Sequence, residues 1–204
     1  MGNLNIEVYT AITGYKDPPR EDIKVFPNYD KFKNPVMNAK IYKILSHKFI
    51  PADISIWLDG NIFLKIPKQQ LVEEFLGEAD MAVFEHNHRQ SIYWEGRMLN
   101  KMFKNRTPWV KDEVNEQIEH YEKIGVMPKR ADMVMGGLII RRNKPIVNQF
   151  NEAWWAEICR WSQRDQLSFP VVRRQFSELK VNYIKGNIKD HEYLRYETHS
   201  HFNT

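Results

Sequence analysis

Segments typical of β-strands alternate with segments typical of α-helices along most of this chain, and that order constrains the fold more than any other feature. Strand-like runs rich in apolar and β-branched residues occur at residues 6–12, 54–58, 81–84, 132–141 and 181–184. Helical patterns with capping residues or apolar stripes lie between them. Such alternation predicts an α/β domain whose central sheet is mixed but mostly parallel and is flanked by helices.

The predicted helices are well delimited by their capping residues. Asn34 and Pro35 begin one helix, and Gly77 follows another over residues 67–76. A longer helix covers residues 145–161 and has an apolar stripe, which we interpret as core and not as a cofactor site. Two further helical patterns cover residues 91–104 and 111–123.

Composition excludes several classes of protein. The single Cys159 can form neither an internal disulfide nor a Cys-rich metal centre. No apolar run approaches the roughly 20 residues that span a bilayer. The first seven residues also lack the basic and apolar regions of a signal peptide. We therefore expect a cytoplasmic protein without a membrane-spanning helix.

Charge argues against a nucleic-acid-binding protein. The formal net charge is +4, and basic residues are interleaved with acidic ones. The sequence pI of about 9.0 and the aromatic content are the arguments for that class. However, two of the tryptophans fall on a predicted buried stripe, whereas stacking on bases requires exposed rings. We therefore expect no nucleic-acid partner.

The chain has the length of one domain. It has 204 residues and no internal repeat or Gly/Ser-rich linker. The last predicted strand ends at residue 184, and the sequence from residue 189 is polar and rich in histidine. We therefore predict one domain over residues 1–188 and a polar C-terminal tail over residues 189–204.

Polar clusters follow three of the predicted strands. They are Thr13-Gly14, the segment 59–61, and Glu85-His86. In parallel α/β sheets, ligands bind beyond the carboxyl ends of the strands. The sequence therefore predicts a site at this edge of the sheet.

Asp59 and Asn61 are the candidate metal ligands at this edge. Two oxygen-bearing side chains on either side of Gly60 can converge on a hard divalent cation. An ordinary Asp-Gly turn has the same sequence. The position directly after a buried strand, with Trp57 beside it, favours the functional interpretation.

The other candidates each have a plain structural alternative. The small residues of segment 10–14 suit a base or ribose but equally an ordinary strand exit, and no dinucleotide or P-loop glycine motif is present. Gly136-Gly137 indicates a bulge or the close approach of a ligand or a backbone. Asp165-Gln166 either cap a helix or enter a cleft.

Lys40, Lys43 and His47 share one helix flank at spacing i, i+3 and i+7, which suits either a solvated edge or contact with phosphates. His86 and His88 share a face on an extended chain. Without a third ligand at fixed spacing, such a pair is more typical of exposed polar residues than of a metal site.

Taken in order, several motifs of the chain resemble one known family. They lie in the segments 38–47, 55–61, 84–86, 93–95, 135–137 and 164–169, together with Arg89. The most specific are Trp57-Leu58-Asp59-Gly60-Asn61 and Arg164-Asp165-Gln166. The order resembles the glycosyltransferase-like family that includes plant mucilage and pollen-turgor proteins and bacterial polysaccharide-cluster proteins, over roughly residues 6–188. That family is similar to nucleotide-sugar-dependent transferases, which implies a single GT-A-like domain.

The resemblance implies roles for these residues. Asp59 and Asn61 would hold Mn²⁺ or Mg²⁺ against the donor diphosphate, although Asn61 stands where related enzymes have a second Asp. A C-terminal histidine often completes the metal shell, with His191, His199 and His201 as the candidates and His199 as our assignment. The residues expected to bind the nucleotide or donor sugar are Thr10, Ala11, Thr13, Gly14, Lys40, Lys43, His47, Gly136, Gly137 and Arg164. The expected catalytic residues are Asp165, Gln166 and Glu85, of which Asp165 or Glu85 would assist the acceptor hydroxyl or stabilise the reacting sugar.

The predicted function is metal-dependent transfer of a sugar from a nucleotide diphosphate sugar, expected to be a UDP-sugar, to a glycan or lipid-linked glycan. A lipid-linked acceptor would bring the protein to a membrane surface. The alternative is a non-catalytic module that binds a nucleotide sugar or a glycan through a degenerate transferase fold, and Asn61 is the feature that motivates it. The stereochemical outcome does not follow from the sequence.

Overall fold

A central sheet of six strands organises the protein. The computed structural model describes residues 4–13, 17, 19–27, 29–88, 91–103, 108–126 and 133–198. The strands are β1 (Ile6–Ala11), β2 (Lys24–Phe26), β3 (Ile54–Leu58), β4 (Ile62–Leu64), β5 (Met81–Glu85), β6 (Val134–Arg142), β7 (Val181–Ile184) and β8 (Leu194–Tyr196). The helices are α1 (Pro35–Ile44), α2 (Ser46–Phe49), α3 (Lys68–Phe75), α4 (Ile92–Phe103), α5 (Pro108–Lys123), α6 (Pro145–Arg160) and α7 (Asp165–Arg173), with a 3-10 helix at Ile188–Asp190.

The central sheet is mixed and mostly parallel, as the sequence predicts. Its strand order is β2-β1-β3-β6-β5-β7, and the small strands β4 and β8 form a separate pair. The pairs β1–β2, β1–β3 and β5–β7 are parallel, whereas β6 runs antiparallel to β3 and β5. Because β6 runs the opposite way, its first residues lie at the sheet edge where β1, β3 and β5 end. Gly136 and Gly137 therefore reach the edge that carries Asp59.

The two faces of the sheet pack against different helices because neighbouring strand residues point to opposite sides. Trp57 contributes to the core formed with α1, α6 and α7. Ile56 and Leu58 contribute to the core formed with α3 and the β4–β8 pair. The strand β3 is buried on both faces, which explains its continuous apolar sequence.

Local signals set the helix ends that matter for the site. The Asn34 side chain accepts a hydrogen bond from the Val36 amide at 3.0 Å and caps α1, which begins at Pro35 as predicted. The helix ends at Ile44, and Leu45 leaves the helical conformation before α2 begins. The apolar stripe of α6 is buried from Val147 to Ile158, so its interpretation as core is confirmed there, whereas Trp161 follows the end of the helix and is half-buried. None of the helices within the described ranges is long and apolar enough to cross a membrane.

The C-terminal part of the described chain differs from the predicted polar tail. The strand β8 pairs with β4, and Leu194 is buried in the core on the α3 side. Residues 194–196 are therefore part of the packed protein, because one apolar side chain and backbone pairing hold them. The proposed boundary at residue 188 otherwise remains a prediction, and His199 and His201 lie outside the described residues.

Candidate active site

A cleft opens at the sheet edge where β1 and β3 end and β6 begins. It consists of two adjoining cavities of about 320 and 660 Å³. Four side chains line both cavities: Lys40 and Lys43 from α1, Asp59 after β3, and Arg164 before α7. All four belong to the residues that the sequence predicts for the site, and the fold brings them together from three separate segments.

Asp59 is held at the end of β3 by three contacts. Its amide donates to the Gly137 carbonyl at 2.8 Å, and its Oδ1 accepts from the Trp57 indole at 2.8 Å. The Lys43 Nζ lies 3.7 Å from the same Oδ1, and the Asp59 side chain is 43% exposed. The carboxylate is therefore oriented through Oδ1 and remains open to the cleft.

Asp165 joins two lysines of α1. The Lys43 Nζ lies 2.7 Å from Asp165 Oδ2, and the Lys40 Nζ lies 3.0 Å from Asp165 Oδ1. All three side chains are largely buried. The carboxylate of Asp165 therefore serves two ammonium groups, and Asp59 beside Lys43 supplies the second negative charge.

Burial and charge act against each other on the pKa values in this cluster. Burial lowers the pKa of Lys40 to about 8, assisted by the nearby Lys43 and opposed by Asp165. For Lys43, burial lowers the pKa, but Asp165 and Asp59 outweigh it and the pKa is raised. Burial alone would raise the pKa of Asp165, yet the two ammonium groups hold it well below its usual range. Asp165 is therefore a carboxylate at neutral pH.

The two adjacent glycines of β6 are explained by their neighbours. A Cβ on Gly136 would lie 2.8 Å from Lys43 Nζ and 3.1 Å from Asp165 Oδ2. A Cβ on Gly137 would lie within 2.9 Å of the side chains of Ile62 and Ile188. Gly136 thus leaves space for the ion pair, and Gly137 leaves space for apolar packing. Gly136 and Gly137 both also line the larger cavity.

Arg164 and Gln166 form a second polar contact in the wall of the cleft. Arg164 Nη2 donates to Gln166 Oε1 at 2.8 Å and lies 3.3 Å from Glu95 Oε1. Gln166 Nε2 donates to the Val134 carbonyl at 3.1 Å. Glu95, which the sequence interpretation did not assign to the site, is fully buried. Its spacing from Ile92 and Leu99 puts a carboxylate on the apolar face of α4, which is the signal that could have identified it.

Several predicted site residues lie elsewhere. His47 lines neither cavity of the cleft and lies 3.1 Å from Glu152, because α1 ends at Ile44 and the i+7 position does not continue its flank. Thr10 is fully buried and also lines neither cavity. Glu85 pairs with Lys185 beside a neighbouring cavity.

Ala11 and Thr13 do line the smaller cavity. Gly14 lies outside the described residues.

The predicted metal ligands are brought together in part. Asp59 and Asn61 both line the larger cavity. The Asn61 Nδ2 donates to the Glu197 carbonyl at 2.7 Å, so its Oδ1 is the atom left for a cation. His191 instead packs against the ring of Phe75 at 5.2 Å and against that of Phe84 at 5.4 Å. Within the described ranges, no cluster of three or more His, Cys, Asp or Glu side chains suits a metal ion.

Part of the wall of the larger cavity consists of residues that the sequence did not indicate as site residues. Asn187, Ile188, Lys189 and Tyr196 line the larger cavity, although two of them fall in the predicted tail. The Lys189 Nζ lies 5.0 Å from the centre of the Tyr196 ring. The apolar residues of this segment, Ile188, Tyr193, Leu194 and Tyr196, are the sequence signal that it packs.

The fold and the cleft together define an α/β domain with a mixed, mostly parallel sheet and a polar cleft at the edge where β1 and β3 end. A family model described as "TOD1/MUCI70, glycosyltransferase-like domain" matches residues 23–195. The chain therefore belongs to the TOD1/MUCI70 glycosyltransferase-like family, as the order of its motifs predicts.

Two curated relatives from Arabidopsis thaliana have names that denote different reactions. The "Probable hexosyltransferase MUCI70" is 29% identical over 165 residues, which cover 76% of this chain and 28% of that protein. The "Alkaline ceramidase TOD1" is 29% identical over 189 residues, which cover 85% of this chain and 39% of that protein. The chain thus spans well under half the length of either relative, and the two names do not agree on one reaction.

Three solved structures of glycosyltransferases show partial similarity to this chain. Mouse xyloside xylosyltransferase 1 has a TM-score of 0.38 at 18% identity, covering 71% of this chain and 50% of that one. The WbbM bifunctional glycosyltransferase has a TM-score of 0.43 at 15% identity, covering 79% and 26%. The galactosyltransferase LgtC has a TM-score of 0.37 at 10% identity, covering 79% and 52%.

Proposed function

We propose that the cleft binds a nucleotide diphosphate sugar, with a UDP-sugar as the donor, and transfers its sugar to a glycan or lipid-linked glycan with the help of Mn²⁺ or Mg²⁺. The observation that carries the proposal is the convergence of Asp59, Lys40, Lys43 and Asp165 at one edge of the sheet. Side chains of both charge signs thus face a cleft large enough for a nucleotide and a sugar. Family membership supports the reaction class.

The residues at the edge fit a divalent cation. Asp59 supplies a carboxylate that is open to the cleft, and Asn61 supplies an amide oxygen, both of which Mg²⁺ and Mn²⁺ accept as ligands. The remaining ligands would come from the diphosphate and water. When bound, the cation would neutralise charge that develops on the departing diphosphate.

The side chains of α1 and α7 would act on the donor by electrostatics. Lys40 and Lys43 offer the diphosphate two ammonium groups at the cleft. Arg164 adds a buried Nε that has no hydrogen-bond partner within the described residues. These groups would hold the diphosphate in place as it leaves the sugar.

Asp165 suits charge stabilisation better than proton transfer. A general base works best with a pKa near the operating pH, whereas the pKa of Asp165 lies well below its usual range. Its carboxylate would instead stabilise positive charge on the reacting sugar. Glu85 is paired with Lys185 and lines neither cavity of the cleft, so its predicted part in the reaction has less support.

The second candidate function is a module that binds a nucleotide sugar without turnover. Two observations favour it. The Asn61 amide holds the Glu197 carbonyl, and the carboxylates of Asp59 and Asp165 both already contact Lys43. Calorimetry separates the candidates, because UDP binding that does not depend on Mn²⁺, in a protein without turnover, supports the module.

The test is UDP-sugar hydrolysis and transfer with Mn²⁺ by the wild type, Asp59→Ala and Asp53→Ala. Asp53 and Asp59 flank β3 at opposite ends, so Asp53→Ala is a matched control on the same strand. We expect Asp59→Ala to lose at least about 100-fold in turnover, the scale on which electrostatic groups act. Asp53→Ala should change turnover by less than about threefold.

Equal activity of the wild type and Asp59→Ala on every donor that works would refute the metal role. Because one relative is named a ceramidase, ceramide should be assayed in parallel. Release of fatty acid from ceramide, without transfer from any UDP-sugar, would overturn the proposed reaction class.

A further inference from the structure

We propose that Lys43 acts as the counter-ion of Asp59. Its ammonium group disfavours the binding of a divalent cation alone and allows the cation to bind together with a nucleoside diphosphate. The inference rests on the proposed function and concerns the order in which the ligands of that site bind. It assigns Lys43 a role in setting cation affinity, beyond contact with the donor.

The geometry places one ammonium group between two carboxylates. Lys43 Nζ lies 2.7 Å from Asp165 Oδ2 and 3.7 Å from Asp59 Oδ1, and its side chain is only 8% exposed. Gly136 leaves the space for this ammonium group, since a Cβ there would lie 2.8 Å from it. The position of the ammonium group therefore depends on β6 as well as on α1.

The main chain of Lys43 is fixed independently of its side chain. The buried guanidinium of Arg141 donates to the carbonyls of Lys43 and Ile44. Lys43 can therefore change partner only through its four-carbon side chain, which is flexible and ends in a compact charge. The two carboxylates are within reach of such a movement, and so is a phosphate in the cleft.

A divalent cation on Asp59 would compete with this ammonium group. Two positive charges a few ångströms apart in a partly buried site repel each other strongly. A diphosphate reverses the balance in two ways, because it attracts the Lys43 ammonium and offers oxygen ligands to the cation. Binding of cation and diphosphate should therefore be cooperative, and this coupling acts equally on both ligands.

Lys40 provides a matched control within the same helix. It lies one turn before Lys43 and contacts the same carboxylate, with Nζ 3.0 Å from Asp165 Oδ1. Its ion pair is with Asp165, whereas Lys43 reaches Asp59 as well. Removing either lysine subtracts one positive charge, but only the loss of Lys43 removes the competitor from Asp59.

The test is titration with Mn²⁺ alone and with UDP, monitored by the electron paramagnetic resonance signal of free Mn²⁺. We expect Lys43→Met to bind Mn²⁺ alone at least tenfold more tightly than the wild type, and Lys40→Met to stay within about threefold. The factor by which UDP tightens Mn²⁺ binding should shrink at least fivefold in Lys43→Met. Equal behaviour of the two lysine variants would overturn the inference.

Further variants keep the outcomes distinct. If Asp59→Asn binds Mn²⁺ and couples it to UDP as the wild type does, the proposed metal site itself is wrong. If Asp59→Asn loses both properties while the lysine variants behave alike, only the counter-ion inference fails. If the wild type binds Mn²⁺ too weakly to detect, binding by Lys43→Met supports the inference and its absence overturns it.

A variant that we expect to weaken Mn²⁺ binding tests the inference if Lys43→Met does not fold. In Asp165→Asn, Lys43 retains Asp59 as its carboxylate partner, so we expect the binding of Mn²⁺ alone to weaken at least threefold. Unchanged or tighter binding in this variant would contradict the inference.

Discussion

Buried cationic side chains lie on both sides of helix α1, and they pair with different kinds of groups. On the cleft side, the ammonium groups of Lys40 and Lys43 share the carboxylate of Asp165. On the core side, the guanidinium of Arg141 is 1% exposed and forms no ion pair with a carboxylate of the described residues. Arg141 instead donates to the carbonyls of Lys43 and Ile44, to the Tyr9 hydroxyl at 2.9 Å and to Asn151 Oδ1 at 3.2 Å.

The difference shows how one helix contacts a structural charge from β6 on one side and carries charges with a proposed function on the other. The carbonyls at the C-terminus of α1 carry partial negative charge, which offsets the guanidinium of Arg141. Burial lowers the pKa of Arg141, but a guanidinium stays protonated in proteins. The group on the core side is therefore closed to ligands, whereas the ammonium groups on the cleft side border a cavity.

The largest expected effect comes from breaking the core side. We expect Arg141→Met to lower the free energy of unfolding by about 3 to 5 kcal/mol, because it leaves two carbonyls and the Tyr9 hydroxyl without their donor. Urea denaturation measures the change. Lys43→Met is the comparison and should cost clearly less, since its side chain borders the cleft. A loss below about 1 kcal/mol in Arg141→Met would show that the guanidinium is not what holds this end of α1.

The second largest expected effect is a pH dependence of the free energy of unfolding that comes from Lys40 on the cleft side of α1. The pKa of Lys40 is about 8 in the folded protein and about 10.4 in an unfolded chain, so the unfolded chain binds more protons between these values. Stability should therefore rise with pH across this window, by about 2 to 3 kcal/mol relative to Lys40→Met. Denaturation curves from pH 7 to 10.5 test it. A constant difference between the two proteins would refute the lowered pKa.

The sequence predicts those parts of the fold that depend on local signals such as helix caps and apolar periodicity. Asn34 and Pro35 begin α1 as expected, and buried strands and stripes follow from apolar periodicity. The direction of β6 and the pairing of β8 depend on contacts distant in sequence, which periodicity does not report. The sequence therefore predicts the sheet type but not why Gly137 lies beside Asp59.

The site was predictable in its charged members and not in their partners. Lys40, Lys43, Asp59 and Asp165 do share the cleft. His47 was grouped with the lysines by spacing, but the break at Leu45 ends that register. The roles of these residues, the donor and the metal stay predictions.

A smaller effect separates the two glycines of β6. We expect Gly137→Ala to lower the free energy of unfolding by about 1 to 2 kcal/mol, because its Cβ meets packed isoleucines. Gly136→Ala meets the end of the flexible Lys43 side chain, so stability should fall less while UDP-sugar turnover falls at least about tenfold. Parallel denaturation and turnover assays decide. The reverse pattern would mean that Gly136 serves packing and Gly137 the site.

The smallest expected effect is at His47. Its contact with Glu152 is partly exposed and outside the cleft, so His47→Ala should change stability by less than about 1 kcal/mol. Nucleotide affinity should stay within about twofold of the wild type, as measured by calorimetry with UDP and Mn²⁺. A tenfold loss of affinity would restore His47 to the donor site.

The most direct measurement is a crystal structure of the protein soaked or co-crystallised with UDP and Mn²⁺. We expect cation density against the Asp59 carboxylate and diphosphate density within reach of Lys40 and Lys43, with the Lys43 ammonium moved away from Asp59. Nucleotide and cation density at another part of the chain, with Lys43 still on Asp59, would contradict this expectation.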